Sequence, residues 1–247
     1  MITHEENTFS NILVNLRDLR GKLRNSAREI EEHRRIPLNI IERLRGIGIF
    51  GMCFPQSWGG AGLTSIEQIL VLEELARGDT ATAWCAMICC DSGIYSGFLE
   101  EKSAKEIFPH ANLAVAGWIH PQGKAEIVDG GYIVTGKWRF ASGSPHGDVI
   151  SAGCFLYRNG NLILDDNGKP LWRVMLARPA DYLFSDTWFT TGLRGSGSQD
   201  YSTQGLFIPE QHAFNFSDPK RQGPLHKTPE AILRKMAGSP LGLARAC

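Results

Sequence analysis

Apolar side chains recur at three- and four-residue steps in the N-terminal part of the chain. This spacing places them on one face of a long helix, and the residues that share this face are Phe9, Ile12, Leu13, Leu16, Leu19, Leu23, Ala27 and Ile30. Pro37 suits the first turn of a second helix, and Asp79 can cap a later one. Between them, Thr64 and Glu67 have the spacing of a capping box. We therefore predict an α-helical N-terminal domain over residues 1–110.

Beyond residue 110 the pattern changes to short apolar or alternating runs that Gly, Asp and Asn separate. Such runs predict β-strands, here at Leu113–Ile119, Ala125–Val128, Tyr132–Lys137, Val149–Tyr157, Trp172–Ala177, Tyr182–Phe189 and Ser202–Ile208. The turn Asp129-Gly130-Gly131 joins two of them as a hairpin. Strands at this spacing are typical of a β-barrel or a β-sandwich. We predict a middle β domain over residues 111–217.

The last part of the chain, residues 218–247, has a different composition and a helical pattern. A helix is predicted from Pro229 to Ala246, with an interruption at Gly238-Ser239-Pro240. We interpret this part as a linker and the first turns of a C-terminal helical domain. The predicted fold class is therefore α+β and multidomain, with an N-terminal α-helical domain, a middle β-barrel or sandwich domain, and the start of a C-terminal helical domain.

Charge and composition argue against several classes of protein. The chain has 247 residues with 26 basic and 26 acidic side chains, whereas a nucleic-acid binder usually shows a basic excess. The longest apolar run, Ala81 to Cys90, is about half of the roughly 20 residues that a membrane span needs. The six cysteines form no CxxC pair. We expect a reduced, cytoplasmic protein that binds neither nucleic acid nor a membrane.

The sequence contains none of several well-known catalytic and metal-binding motifs. There is no GxSxG turn, no HExxH pair and no GxxxxGK[ST] loop, and the histidines do not stand at metal-ligand spacing. We therefore expect no metal site. The glycine-rich segment 192–198 precedes a predicted strand, so it is not the strand-to-helix turn of a dinucleotide-binding fold. Turn formation alone explains the segment as well as ligand binding does.

Two aromatic side chains and a hydroxyl share one face of a predicted strand end. Alternation along the strand places Trp138, Phe140 and Ser142 on the same side. Such a face suits a planar ligand that also forms hydrogen bonds. An aromatic strand in a barrel core would show the same spacing, and spacing alone favours this second interpretation.

Several separated motifs, in the right order, resemble the acyl-CoA dehydrogenase superfamily along nearly all of the chain. Residues 54–63 and 73–79 are similar to segments of that family's first domain. Within the superfamily, residues 131–143 and 188–210 resemble the flavin-dependent hydroxylases, which are the oxygenase components of two-component aromatic and steroid monooxygenases. The loop His120-Pro121-Gln122-Gly123-Lys124 also reads more like the hydroxylases, because dehydrogenases usually have Glu-Pro followed by Gly-Ser-Asp there.

The resemblance implies a flavin site. By position in the matched motifs, the cofactor-binding residues would be Trp84, Gly117, Trp118, Phe140, Ala141 and Ser142. Phe140 would lie beside the isoalloxazine ring and the Ser142 hydroxyl near flavin N5. Trp84, Trp118 and His120 would contact the substrate. Arg194 would either pair with a carboxylate across a domain interface or reach a flavin phosphate, and we favour the structural role.

The resemblance also implies a function. The expected activity is that of an oxygenase component that uses reduced flavin (FMN or FAD) and O2 on an aromatic or similar small organic substrate, with a separate flavin reductase as partner. In the family, a C-terminal four-helix bundle supplies the base and builds a homotetramer, so the catalytic base is expected in a domain that this sequence only begins. Two alternatives stay open: an FAD-dependent acyl-CoA dehydrogenase, and a non-catalytic remnant.

Overall fold

A computed structural model describes residues 8–227 and 231–247. Pro229, where the last predicted helix begins, lies outside the described residues. The helices are α1 (Phe9–His33), α2 (Leu38–Ile47), α3 (Ser65–Ala76), α4 (Thr80–Cys89), α5 (Ser92–Tyr95), α6 (Glu101–Ile107), α7 (Ala231–Arg234) and α8 (Gly238–Ala246). The strands are β1 (Val115–Val128), β2 (Gly131–Ala141), β3 (Val149–Arg158), β4 (Asn161–Leu162), β5 (Trp172–Ala177), β6 (Leu183–Ser185), β7 (Gln199–Pro209) and β8 (Ala213–Phe214).

The N-terminal helices form where the apolar spacing predicts them. Helix α1 buries Ile12, Leu16, Leu19, Leu23 and Ile30, which are positions of the predicted face. Thr64 and Glu67 form the capping box of α3, and the Asp79 side chain accepts the Thr82 N–H at the start of α4. The local capping chemistry therefore fixes where α3 and α4 begin, and the direction of α4 decides where Trp84 lies.

The strands form one mixed sheet in the order β6-β7-β2-β1-β3-β5-β8, with the short β4 paired to β3. Strands β1 and β2 form the predicted antiparallel hairpin, whereas β1 and β3 run parallel. Two predicted strands, at 113–119 and 125–128, are one continuous strand β1. The register against β3 shifts between Trp118 and Gly123, and this irregularity coincides with residues 120–124, which lie between the two predicted strands.

One predicted strand is much shorter than expected. Strand β6 spans only Leu183–Ser185, whereas the apolar pattern predicts a strand over 182–189. The next residues leave the sheet because Asp186 pairs with Arg34 at the end of α1 and the Trp188 indole N–H donates to the Leu193 carbonyl at 3.0 Å. Tertiary contacts therefore override the local pattern.

Helices and sheet share a hydrophobic core, and a second cluster lies within the β region. The first cluster joins α1–α6 to sheet residues, among them Val149, Val174 and Phe214. The second contains Trp138, which is fully buried and stacks on Tyr201 with ring centroids 5.3 Å apart. The preferred core role therefore holds for Trp138 but is wrong for Phe140, which is 47% exposed. The pairing of β2 with β7 shifts register between Trp138 and Ala141, so the expected alternation ends there, and Phe140 and Ser142 lie at the site described below.

The C-terminal helical segment packs against the N-terminal helices. Helix α8 lies on α3, where a Cβ added at Gly242 would come within 2.2 Å of the Glu73 carbonyl oxygen. The predicted interruption at 238–240 is wrong, because α8 begins at Gly238 and the break is a 3-10 turn at Lys235–Ala237. Pro240 is tolerated in the first turn of α8, where its missing N–H needs no helical partner.

Candidate functional site

A chain of hydroxyl groups lies where the end of β2 meets helix α4. The Trp84 indole N–H donates to Ser142 Oγ at 3.0 Å. Ser142 Oγ lies 2.6 Å from Ser198 Oγ, which lies 2.6 Å from Ser196 Oγ. All three serines are buried. Because Ser142 already accepts from Trp84, its own proton is available either to Ser198 or, when Ser198 donates to it, to a further acceptor.

The segment with Ser196 and Ser198 is held against the end of β2 by its backbone. The Gly143 N–H donates to the Ser196 carbonyl at 2.8 Å, and the Cys85 thiol approaches the same oxygen at 3.5 Å. The sequence offers turn formation as one explanation of this segment. The structure also shows hydrogen bonds between the Ser198 hydroxyl and the hydroxyls of Ser142 and Ser196, which sequence reasoning missed. The alternation of Gly and Ser at 195–198 was the signal that could have indicated them.

Phe140 has an unusual backbone and an exposed ring. Its φ angle is 64°, in the left-handed region that a bulky side chain rarely adopts, and the residue is 47% exposed. The Ser142 N–H donates to the Phe140 carbonyl at 2.8 Å. The ring lies between Trp118 (centroids 5.7 Å apart) and Trp188 (6.1 Å). Backbone strain of this kind, about 1–3 kcal/mol, is concentrated at functional sites.

The backbone around Trp118 is tightly fixed. Gly117 has a φ angle of 119°, and an added Cβ would come within 2.1 Å of the Ser151 carbonyl oxygen, so this position requires glycine. The Trp118 N–H donates to Tyr201 Oη at 2.7 Å, and the Tyr201 hydroxyl donates to the Ser151 carbonyl at 2.5 Å. The indole of Trp118 is therefore presented from a rigid part of β1.

Beside this site lies an apolar cavity of about 750 Å³ between the helices, the sheet and the C-terminal segment. Its aromatic walls include Trp84, Tyr95, Trp118, Trp172 and Phe216. A volume in this range accommodates a small organic ligand, which mostly apolar walls suit. The cavity and the serine chain are adjacent because Trp84 takes part in both.

The structure divides the predicted site residues into two groups. Trp84, Gly117, Trp118 and His120 line the cavity. Phe140 and Ser142 lie at its edge, joined to the first group through Trp118 and Trp84. The side chain of Ala141 is buried in the second hydrophobic cluster, so Ala141 can contribute to a ligand site only through its backbone. The roles assigned to these residues stay predictions.

Two charged groups of the cavity wall have no counterpart in the sequence reasoning. Asp91 and Lys235 form a buried ion pair. Burial raises the pKa of Asp91 to about 6, although the charge of Lys235 opposes the shift, and the charge of Asp91 raises the pKa of Lys235. These residues lie 144 positions apart, and no local spacing connects them.

Two other residues of the matched motifs, His146 and Arg194, do not line the cavity. Burial, and then the charges of Arg35 and Arg45, lower the pKa of His146 to about 4, so this side chain is neutral at neutral pH. Arg194 has a buried Nε without a hydrogen-bond partner among the described residues. The carboxylate pair that we favoured for Arg194 is not formed with any described residue.

Neither a membrane span nor a metal-ligand cluster occurs in the described part of the chain. None of its helices has the length and apolar character needed to cross a bilayer. Within residues 8–227 and 231–247, no group of His, Cys, Asp or Glu side chains has an arrangement that could hold a metal ion.

Comparison with known families and structures identifies the fold. Residues 17–107 match the family of acyl-CoA dehydrogenase N-terminal domains. The HsaA monooxygenase from M. tuberculosis superposes on 97% of this chain and 64% of its own, with a TM-score of 0.88 at 22% identity. The chain has the acyl-CoA dehydrogenase fold. The predicted fold class and the resemblance on which it rests are confirmed.

The curated relatives of this acyl-CoA dehydrogenase-like chain include flavin-dependent oxygenase components. The oxygenase component of an FADH2-dependent resorcinol hydroxylase from Rhizobium sp. is 31% identical over 196 residues, or 79% of this chain and 46% of that protein. An indole-3-acetate monooxygenase from Acinetobacter baumannii is 29% identical over 222 residues, or 89% of this chain and 55% of that protein. The chain therefore spans about half the length of these two relatives.

Proposed function

We propose that the chain is part of the oxygenase component of a flavin-dependent monooxygenase, which uses reduced flavin and O2 on an aromatic or similar small organic substrate. One observation carries the proposal: the exposed, strained Phe140 ring and the Ser142 hydroxyl lie together at the edge of an apolar cavity. The names of the curated relatives support the same activity. XiaF from Streptomyces, whose structure contains FADH2, has the same fold with a TM-score of 0.84.

The residues present fit a flavin. Phe140, flanked by Trp118 and Trp188, offers an aromatic surface against which a planar ring system can pack. Ser142 offers a hydroxyl whose orientation Trp84 and Ser198 fix. When bound, reduced flavin would supply the electrons that let O2 transfer one oxygen atom to a substrate, with water as the second product.

The chain's own residues would contribute positioning, proton control and exclusion of water. Ser142 would hold a proton at flavin N5 by accepting a hydrogen bond from it, because the Ser142 hydroxyl keeps one lone pair free when it accepts from Trp84 and donates to Ser198. Trp84 and Trp118 would keep the reacting region dry, which strengthens the remaining polar contacts. His120, exposed at the cavity, would contact the substrate.

The remaining components of such a system belong to the same proposal. A separate reductase would supply the reduced flavin, FMN or FAD, and the catalytic base would come from a C-terminal helical domain. The domain boundaries at residues 110 and 217, a homotetrameric assembly and a cytoplasmic location are further parts of it.

An anaerobic titration tests the proposal. The purified chain is titrated with reduced and oxidised FMN and FAD, and binding is followed by quenching of tryptophan fluorescence. We expect reduced flavin to bind more tightly than oxidised flavin, because the oxygenases that the chain resembles receive diffusible reduced flavin. Tight binding of oxidised FAD, bleached by an acyl-CoA thioester, would instead establish a dehydrogenase.

A further inference from the structure

The wall of the apolar cavity contains one carboxylate among the residues that the structure describes. Asp91 follows α4, which also carries Trp84, and Lys235 reaches it from the C-terminal segment. The other basic side chains that line the cavity, His120 and Lys169, are exposed. A ring ligand inside the cavity therefore meets aromatic walls and a single acidic group.

The Asp91 carboxylate is held in place by Lys235 but keeps unused capacity to accept hydrogen bonds. Asp91 is 4% exposed and Lys235 is 1% exposed. Lys235 Nζ donates to Asp91 Oδ1, and it also donates to the Ile232 carbonyl at 2.9 Å. Asp91 precedes α5 but its side chain does not cap that helix. An ionised carboxylate can accept about four hydrogen bonds, and Lys235 is its only donor among the described residues.

The buried ion pair contributes little net free energy to holding the two segments together, because its charges must be desolvated. Taking both charges out of water costs several kcal/mol per ion, and well-packed apolar residues often replace such pairs without loss of stability. The pair does, however, keep a charged acceptor in an otherwise apolar cavity. Burial raises the pKa of Asp91 to about 6, so the carboxyl group is ionised at pH values above 6. An ionised carboxylate forms strong hydrogen bonds with neutral donors.

We propose that the Asp91 carboxylate, held by Lys235, accepts a hydrogen bond from a hydroxyl or N–H group of the ring ligand. Asp91 is then a specificity-determining residue, and the cavity prefers a ring that carries such a donor over the same ring without one. This inference rests on the proposed function for the nature of the ligand. It assigns the donor preference to one residue, Asp91, and gives Lys235 a positioning role.

The test compares two probes that differ only in their donors: resorcinol, and its dimethyl ether, which has none. Binding to the purified chain is followed by the fluorescence of the cavity tryptophans. The quantity measured is the ratio of the two affinities, because a general loosening of the protein weakens both probes together. The wild type should bind resorcinol more tightly than the dimethyl ether. In the double variant Asp91→Leu/Lys235→Met, which removes both charges, we expect the ratio of resorcinol affinity to dimethyl ether affinity to fall about tenfold.

Two further variants keep the result interpretable. Asp91→Asn keeps the size of the side chain, lowers the ratio in the same direction, and serves if the double variant does not fold. Glu74→Gln alters another buried carboxylate, paired with Arg20 outside the cavity, and leaves the ratio unchanged. An unchanged ratio in both Asp91 variants, or binding of neither probe to the wild-type chain, overturns the inference. A changed ratio without any flavin binding would support it and contradict the proposed function.

Discussion

Replacement of Ser142 by alanine removes the hydroxyl that links Trp84 to the chain of serine hydroxyls. Ser142 Oγ takes part in two hydrogen bonds, with the Trp84 indole and with the Ser198 hydroxyl. A neutral hydrogen bond contributes about 0.5–1.5 kcal/mol net, so the two together are worth about 1–3 kcal/mol. Ser198 keeps its contact with Ser196, and the half-buried Trp84 regains some water. We expect Ser142→Ala to lower the free energy of unfolding by about 1–2 kcal/mol.

The measurement is urea unfolding of the variant beside a matched control, Ser144→Ala. Ser144 is similarly buried, 8% exposed against 5% for Ser142. Its hydroxyl makes one long contact, 3.4 Å to the Gly197 carbonyl. We expect Ser144→Ala to cost less than about 0.5 kcal/mol. An equal decrease in the free energy of unfolding in the two variants would refute the claim that the hydroxyl chain stabilises the fold.

The same pair of variants separates a functional from a structural role. Both variants should remain folded, because losses of this size are small against the usual stability of a domain. Ser142→Ala should weaken the binding of reduced flavin, whereas Ser144→Ala should not. In the complete enzyme, Ser142→Ala should also divert turnover towards H2O2. A Ser142→Ala protein that is destabilised but binds flavin as the wild type does would assign Ser142 to structure alone.

Three further results are expected. Since the pKa of His146 lies near 4 when folded and 6.5 when unfolded, the unfolded chain binds the proton first as pH falls, and the stability of the wild type relative to His146→Gln should drop by about 2 kcal/mol between about pH 7 and pH 5. Urea unfolding of both proteins at each pH measures this difference, in which the opposite contribution of Asp91 cancels, and a constant difference would contradict it. Gly117→Ala should cost at least about 1–3 kcal/mol through backbone strain and collision with Ser151, and a thermal midpoint equal to that of the wild type would contradict this. A thiol reagent should label only the exposed Cys247 in the native protein and all six cysteines in denaturant; rapid labelling of buried Cys89, whose pKa burial raises to about 12, would show the helical core to be open.

Elements that depend on local chemistry could be predicted from the sequence. The buried face of α1, the capping box at Thr64 and the hairpin after β1 are each determined by residues a few positions apart. The predicted strand Trp172–Ala177 agrees with β5 at both ends. The predicted element boundaries are wrong where contacts with distant residues determine them. Strand β6, for example, ends just before Asp186, which forms a salt bridge with Arg34.

The site was predictable only in part, for the same reason. Trp84 and Ser142 were identified through family motifs, and the structure brings them into hydrogen-bond contact across 58 positions of sequence. The hydroxyl chain through Ser198 and the ion pair of Asp91 with Lys235 depend on contacts that no periodicity expresses. The strain at Phe140 likewise follows from its place at the end of β2 and not from its residue type.

The central claim is that a reduced flavin packs against Phe140, and one comparison of affinities tests it most directly. Phe140→Ala removes the ring between Trp118 and Trp188, while Phe189→Ala removes an exposed ring that packs on Arg34. Aromatic contacts are worth about 0.5–1.5 kcal/mol each, so Phe140→Ala should weaken reduced-flavin binding about threefold to tenfold in anaerobic titration, with Phe189→Ala equal to the wild type. Unchanged affinity in Phe140→Ala would contradict the account.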